Sequence, residues 1–345
     1  MQEFPLVTVI MPVRNEGPFI SRSLGAVLSQ DYPRDRMEVI VSDGMSTDET
    51  RETIHRLQQQ YPNLHIVDNA GRIAPTGLNS ALREAHGDVI IRIDGHCEIA
   101  RDYVTQCVET LSREKADGVG GPIETVGANP AIPLAMSSMF GVGGTAFRTG
   151  GNHRTESVDT IAFPAYTRDA IEKAGPFDEE LVRNQDDEYN YRLRKLGRRI
   201  LLSPTIRSRY YSRSSLRSLW RQYYQYGYWK VRVLQKHPLQ MKWRQFVPPL
   251  FVLTLLMSGA AAIFFRPATP LLLLIAGCYV IANLTASILV ARTTSWSALL
   301  LLPVIFAILH LSYGLGFLVG LIRFWNRWRS SLSFHATASP SGGHS

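Results

Sequence analysis

The sequence predicts an α/β domain built on a mostly parallel, Rossmann-like sheet, followed by an interfacial helix and C-terminal transmembrane helices. Three observations lead there. Over the first hundred residues, short β-branched apolar runs alternate with amphipathic segments, the pattern of a parallel sheet covered on both faces. Between Phe246 and Ile322 only Arg266 and Arg292 carry charge, so one stretch of this 345-residue chain is written for a different solvent. The formal net charge of +8 is concentrated at Arg192–Arg244 and Arg323–Arg329, on either side of that stretch.

The elements follow in order. Val7–Met11 reads as a strand stopped by Pro12, and Phe19, Ile20, Leu24, Val27 and Leu28 recur at helical spacing. Glu38–Ser42 is a second strand. After it, Ser46 and Glu49 have the spacing of a capping box for a helix running to about Gln60. Leu64–Val67, a helix over Thr76–Ala85, and a strand over Val89–Ile93 complete four alternations. A helix ending near Glu114 and a strand over Gly118–Thr125 come next. Residues 126–157 are rich in Gly and Pro and weakly periodic, which predicts a mobile functional loop. A helix near Arg168–Ala174, the acidic segment "NQDDEYNYRLRKLG" and a strand at Arg199–Leu202 close the first domain, residues 1–210.

Residues 211–245 mix Trp220, Tyr223, Tyr224, Tyr226, Tyr228 and Trp229 with Arg and Lys, as expected of a helix lying in a membrane interface. Residues 246–323 hold three apolar segments, Val247–Phe265, Pro270–Ala291 and Ala298–Ile322, each long enough to cross a hydrocarbon core of ~30 Å. Two or three of them are expected to span. Three spans would place Arg323, Arg327 and Arg329 opposite to the positive-inside tendency. Residues 324–345 form a basic, then Ser- and Gly-rich tail.

Cys97, Cys107 and Cys278 show no paired or metal-like spacing, which fits a reducing compartment. The N-terminus has no basic region or small-residue cleavage site of a secretory signal. The first domain is therefore expected to stay in the cytoplasm, beside the membrane. Because the basic residues track the apolar boundary, a lipid surface is the expected partner, and nucleic acid is not.

Open parallel sheets bind ligands beyond the carboxyl ends of their strands. Three polar groups fall there: Pro12–Gly17 after the first strand, Asp43 after the second, and Asp94-Gly95-His96 after the fourth. One acid at a strand end is ordinarily a turn or cap residue; three in register point to a shared ligand. No G-x-G-x-x-G and no P-loop is present, so a bound diphosphate needs another neutralising group. A divalent cation held by Asp94 and His96 would serve, and an imidazole favours Mn²⁺ over Mg²⁺. In an extended Asp-x-His segment both side chains share one face. Gly95 would leave room for a ligand near the backbone. Of Asp186-Asp187-Glu188, two suit the positive end of a helix, and one is left as a candidate base.

The stretches "VTVIMPVRNEGPFI", "EVIVSDGMSTDET", "GLNSALREAHGDVIIRIDGH" and "NQDDEYNYRLRKLG", in this order, resemble the family-2 glycosyltransferases of the GT-A fold. The spans and tyrosine-rich helix resemble membrane-associated members that build bacterial exopolysaccharide, of the succinoglycan type. The resemblance implies that Pro12, Arg14, Asn15 and Glu16 wall a nucleotide pocket, that Asp43 touches uracil or ribose, and that Arg72 approaches the base or diphosphate. It makes Asp94 and His96 the counterpart of the family's D-x-D metal motif, with Asp94 also near the nucleotide. Asp186 matches the aspartate of an E-D pair, the catalytic base. Gln225 and Trp229 match parts of the Q-x-x-R-W motif of processive members, on the acceptor side.

There are departures. Gly44 replaces the second acid of the D-D-G-S turn, Gln185 replaces the glutamate of the E-D pair, and Tyr228 stands where processive enzymes have Arg. The last favours single-sugar transfer. The expected activity is inverting transfer of one hexose, glucose foremost, from a UDP-sugar to a polyprenyl-diphosphate-linked oligosaccharide, with Mn²⁺ or Mg²⁺. The alternatives are a processive polysaccharide synthase and a non-catalytic membrane scaffold that binds sugar nucleotide.

Overall fold

The computed structural model describes residues 4–127, 129–150, 154–212, 215–294 and 296–328. The chain divides into two compact units, Met1–Ser212 and Arg213–Ser345. The first begins with the expected alternation: β1 (Val7–Val13), α1 (Gly17–Leu28), β2 (Met37–Asp43), α2 (Thr50–Gln58), β3 (Leu64–Asp68), α3 (Ala74–Glu84) and β4 (Val89–Arg92). It continues through β5 (Cys97–Ile99), α4 (Tyr103–Glu114), β6 (Gly118–Gly120) and β7 (Ile123–Val126). Then come three short helices, α5 (Ala131–Ser137), α6 (Met139–Val142) and α7 (Ala146–Thr149), and strand β8 (Glu156–Ser157). The unit closes with β9 (Ala165–Thr167), α8 (Arg168–Ala174), α9 (Gln185–Lys195), β10 (Ile200–Leu202) and β11 (Ser208–Tyr211).

Eight strands form the main sheet in the order β3-β2-β1-β4-β9-β6-β10-β8, and β5-β11-β7 form a second sheet. β1 pairs in parallel with β2 and β4, placing Val9 beside Val39 and Ile91. All three are fully buried, which explains why these strands read as continuous apolar runs. The short β9 enters antiparallel between β4 and β6. The sheet is thus mostly parallel and mixed at its centre.

Three local expectations change. The Ser46–Glu49 capping box does not form: α2 starts at Thr50 with no side-chain cap, and Ser46 stays in the preceding loop. The strand over Gly118–Thr125 is two strands in two sheets, parted at Gly121-Pro122, where Pro122 brings no N–H for a ladder. The stretch 126–157, expected to be a loop, contains α5, α6 and α7 among its described residues. Helices of four to seven residues are too short to leave a periodic signature.

The second unit comprises α10 (Leu216–Lys236), α11 (Val247–Phe264), α12 (Thr269–Thr293) and α13 (Leu302–Arg323). A capping box between Ser215 and Ser218 starts α10. Leu219, Tyr223, Gly227 and Val231, on one face of α10, are buried. At Gly227 a side chain would strike the carbonyl of Tyr313, and at Gly316 it would strike that of Tyr224. Gly316-x-x-x-Gly320 thus lets the backbones of α13 and α10 approach closely, as small residues do between membrane helices. The aromatic helix is the packed partner of α13, with Val231, Phe317 and Phe324 buried between them.

Three helical segments, Trp243–Phe264, Arg266–Thr293 and Leu302–Arg323, are long and apolar enough to cross a membrane. α11 and α12 expose large apolar side chains such as Phe264, Leu273 and Ile281. Arg329 and the Ser/Gly-rich tail lie outside the described residues.

Candidate active site

The chain runs outward from β1 through β2 to β3, then returns to place β4 on the other side of β1. That reversal makes the β1/β4 boundary a switch point, where open α/β sheets leave a crevice. Val13, Asp43 and Asp68 lie in register at the carboxyl ends of β1, β2 and β3. Arg14–Glu16 follow β1, and Asp94–His96 follow β4.

The β1 and β2 loops lock onto each other. Asn15 donates its backbone N–H to the Ser46 hydroxyl (2.9 Å), and its Oδ1 accepts the Thr47 N–H (2.9 Å). Asp43 is fully buried; it accepts from the Ser46 hydroxyl (2.5 Å) and from Arg51 (3.1 Å). In this state the Asp43 carboxylate holds the loop. Arg14 donates to the Arg72 carbonyl (3.3 Å). Pro12 is the penultimate residue of β1, with Ser42 as its partner on β2. Asn15, Met45, Arg72 and Asn184 all have left-handed backbones, with φ of 53°, 57°, 58° and 65°. Such conformations cost about 1–3 kcal/mol each and gather where geometry is over-determined.

After β4, the segment Asp94-Gly95-His96 is a turn, closed by the Cys97 N–H on the Asp94 carbonyl (3.0 Å). The extended Asp-x-His geometry expected from the sequence is therefore not what brings the two side chains together. Nor is the space at Gly95 kept for a ligand: a Cβ there would lie 2.8 Å from Glu16 Cγ. Glu16 fills that space and accepts from His96 Nδ1 at 2.9 Å.

Arg92, the one charge in β4, is 4% exposed, and its guanidinium meets two carboxylates. Nε and NH2 donate to Asp94 Oδ1 at 3.2 and 2.9 Å. NH1 pairs with Asp186 Oδ1. A buried guanidinium is tolerated only when so paired. Burial would raise the Asp94 carboxyl, but Arg92, His96 and Arg183 together hold it below the usual carboxylate range.

Asp186 stands in the first turn of α9, which is anchored from below. Asn190, fully buried, accepts the Tyr166 hydroxyl (2.7 Å) and donates to the Ile161 carbonyl (3.1 Å). Glu188 pairs with Arg192 at 2.7 Å, so this acid belongs to the helix and not to the crevice.

A family model, "Glycosyl transferase family 2", matches residues 8–173. The succinoglycan biosynthesis protein ExoA of Rhizobium meliloti is 32% identical over 253 residues, 70% of this chain and 73% of that protein. The chain belongs to glycosyl transferase family 2. A dolichyl N-acetyl-α-D-glucosaminyl phosphate 3-β-D-2,3-diacetamido-2,3-dideoxy-β-D-glucuronosyltransferase of Methanococcus voltae is 28% identical over 92% of this chain and 97% of its own length. Among solved structures, the mannosyltransferase PcManGT from Pyrobaculum calidifontis, in complex with GDP-Man and Mn²⁺, matches with a TM-score of 0.59 at 22% identity. That match covers 93% of this chain and 88% of that one, and shows the shared GT-A fold.

For a family-2 enzyme the donor set fits a divalent cation. Glu16 accepts from His96 Nδ1, which leaves the Nε2 lone pair for a ligand, as carboxylates behind metal-bound histidines do. Asp94 spends Oδ1 on Arg92, and its side chain keeps 23% exposure. Among the described residues no three His, Cys, Asp or Glu side chains cluster as a metal cage. Two protein ligands completed by diphosphate oxygens match the usual way Mg²⁺-type sites are built.

Two arginines beside the expected site residues were not among those singled out from the sequence. Arg92 interrupts the apolar run Val89–Ile93, and a charge inside such a run is itself a signal. Arg148, on α7, lies over the Tyr210 ring (5.5 Å), which meets the His96 ring edge-on (5.1 Å). No sequence signal ties Arg148 to His96. Gln225 and Trp229 lie on α10 in the second unit, where Trp229 packs on Tyr228 and Phe324.

Proposed function

We propose that this chain is an inverting glycosyltransferase that moves one hexose from a UDP-sugar to a saccharide carried on a polyprenyl diphosphate. The observation that carries this reading is Arg92, which links the Asp94 turn to Asp186 across the strand ends. The acceptor class is supported by the three apolar helices, by a relative named for a dolichyl-phosphate substrate and by a relative named for succinoglycan biosynthesis.

In this reading Pro12, Arg14, Asn15, Asp43 and Arg72 frame the nucleotide, and Glu16 orients His96. Asp94 and His96 would hold Mn²⁺ or Mg²⁺, which when bound would supply positive charge against the departing diphosphate. Asp186 takes the proton of the acceptor hydroxyl as its oxygen bonds to the anomeric carbon. The bond from that carbon to the diphosphate oxygen breaks on the opposite face, which inverts the anomer. Gln225 and Trp229 are assigned to the acceptor by their match to the Q-x-x-R-W motif alone. The site works on the cytoplasmic side of a bacterial cell membrane, where nucleotide sugars are made.

The test is a donor screen on the full chain in nanodiscs. UDP- and GDP-sugars are supplied with polyprenyl-diphosphate oligosaccharides, and Mn²⁺ and Mg²⁺ are titrated. UDP release with one sugar added per acceptor is expected. Ladders of longer product would mean a processive synthase, and no turnover with any pair would remove the reading. Asp186→Asn is expected to lower transfer by about 10²-fold or more, while UDP still binds at saturating metal.

A further inference from the structure

The guanidinium of Arg92 does more than satisfy a buried charge. One edge, Nε and NH2, goes to Asp94; the remaining nitrogen, NH1, goes to Asp186. Arg92 is 4% exposed; its backbone is fixed by pairing with Ile10 of β1 and by its N–H on the Pro164 carbonyl, so the guanidinium is placed by the fold and not by solvent. Asp94 sits in the turn after the same strand, whereas Asp186 arrives on α9, fixed by Asn190. One planar cation is thus shared by the two halves of the site.

We infer that Arg92 is a positioning residue that couples cation binding at Asp94 to the placement of Asp186. This rests on the functional reading above. The physical reason is competition for one carboxylate. A cation at Asp94 neutralises the charge that holds the Nε–NH2 edge and repels the guanidinium. The hold of Arg92 then shifts towards Asp186, keeping that carboxylate aimed as the donor arrives. By reciprocity, removing the charge of Asp186 leaves Arg92 bound to Asp94 alone, a stronger competitor for the cation. Asp186 therefore affects a ligand that it does not touch.

The test is a double-mutant cycle read by binding. Mn²⁺ is titrated calorimetrically into the full chain in nanodiscs at saturating UDP, or GDP if that is the nucleotide bound. Wild type, Asp186→Asn, Arg92→Gln and the double variant are compared. Asp186→Asn is expected to weaken Mn²⁺ about fivefold or more. In the Arg92→Gln background the same change should have under about twofold effect, because the shared cation is gone. A direct field of Asp186 on the metal would instead persist or grow without Arg92, and that result overturns the inference. So does an Asp186→Asn chain with wild-type Mn²⁺ affinity, a result that needs only a variant changed at a partly exposed position. If Arg92→Gln does not fold, Arg92→Lys replaces it. Its point charge can serve one carboxylate, so the coupling should again fall. A second readout is the KM–kcat split: Arg92→Lys should raise the Mn²⁺ requirement and lower kcat together, whereas a merely structural defect would lower the active fraction alone. Failure of wild type to bind any nucleotide with Mn²⁺ defeats the functional reading and the inference with it; binding without coupling defeats the inference only.

Discussion

Glu16, expected in the wall of a nucleotide pocket, holds the Nδ1 of His96 through its Oε1, and its Cγ occupies the space over Gly95. Outer-shell carboxylates of this kind are worth about 10–100-fold in metal affinity. Glu16→Ala is expected to raise the Mn²⁺ needed for half-maximal transfer by that factor, with kcat at saturating metal falling far less. Equal loss at all metal concentrations would remove the assignment. Asp94 permits a pH prediction. Its carboxyl is held below its usual value by Arg92, His96 and Arg183, against the opposing effect of burial. A lowered folded pKa gives stability that is complete above the unfolded value and is lost as pH falls through the folded one. The stability gap between wild type and Asp94→Asn should be flat from pH 5 to 8 and close only below about pH 4. A gap that closes between pH 7 and 5 would mean that another group holds the charge. Chemical denaturation in nanodiscs across this range decides.

Elements show where the sequence was legible and where it was not. β1, β2, β3 and β4 were readable because strands buried on both faces are continuous apolar runs, and Asp43 and Asp94 were readable as acids that end them. β9 was not: three residues, Ala165–Thr167, carry no period, yet they make the sheet mixed and bring Tyr166 under α9. The Arg92–Asp186 pair was equally hidden, because its partners come from distant segments and meet only when β9 and α9 are placed. α10 was legible as aromatic and basic but not as the partner of α13: Gly316-x-x-x-Gly320 marks a close-packing face on α13 without naming the helix that meets it. That contact is testable. Gly316→Val and Gly227→Val should each destabilise the α10–α13 pair, by about 1–3 kcal/mol as overpacked contacts do. Gly259→Ala and Gly277→Ala, where an added Cβ meets nothing within 4 Å, should be neutral. Thermal melts of the four variants in one detergent compare them directly; equal melts would mean that the helices do not touch in lipid.

At the scale of the whole molecule, the two units are written for two solvents. The first buries its apolar residues under helices, whereas α11 and α12 present Phe264, Leu273 and Ile281 outward. In water such contiguous exposure is an aggregation hazard; in a bilayer it is the ordinary lipid-facing surface. The full chain should therefore remain in the membrane fraction after an alkaline carbonate wash and require detergent for extraction. Release by carbonate would mean that the helices bind a partner protein instead. This division was the plainest statement in the sequence, because charge disappears over Phe246–Ile322 except at Arg266 and Arg292.

The Asn190 clamp has a practical consequence for directed evolution. The carboxylate of Asp186, the proposed base, takes its position from the sheet through Asn190, which holds Tyr166 and the Ile161 carbonyl. The short helices of residues 131–149 lie in a different part of the chain and meet the crevice through Arg148 and Tyr210. The proposed base and the aromatic contact on His96 are thus mounted on separate supports. A library randomised over residues 138–147 should return many clones that keep turnover, whereas one randomised at Asn190 should return few active clones of any kind.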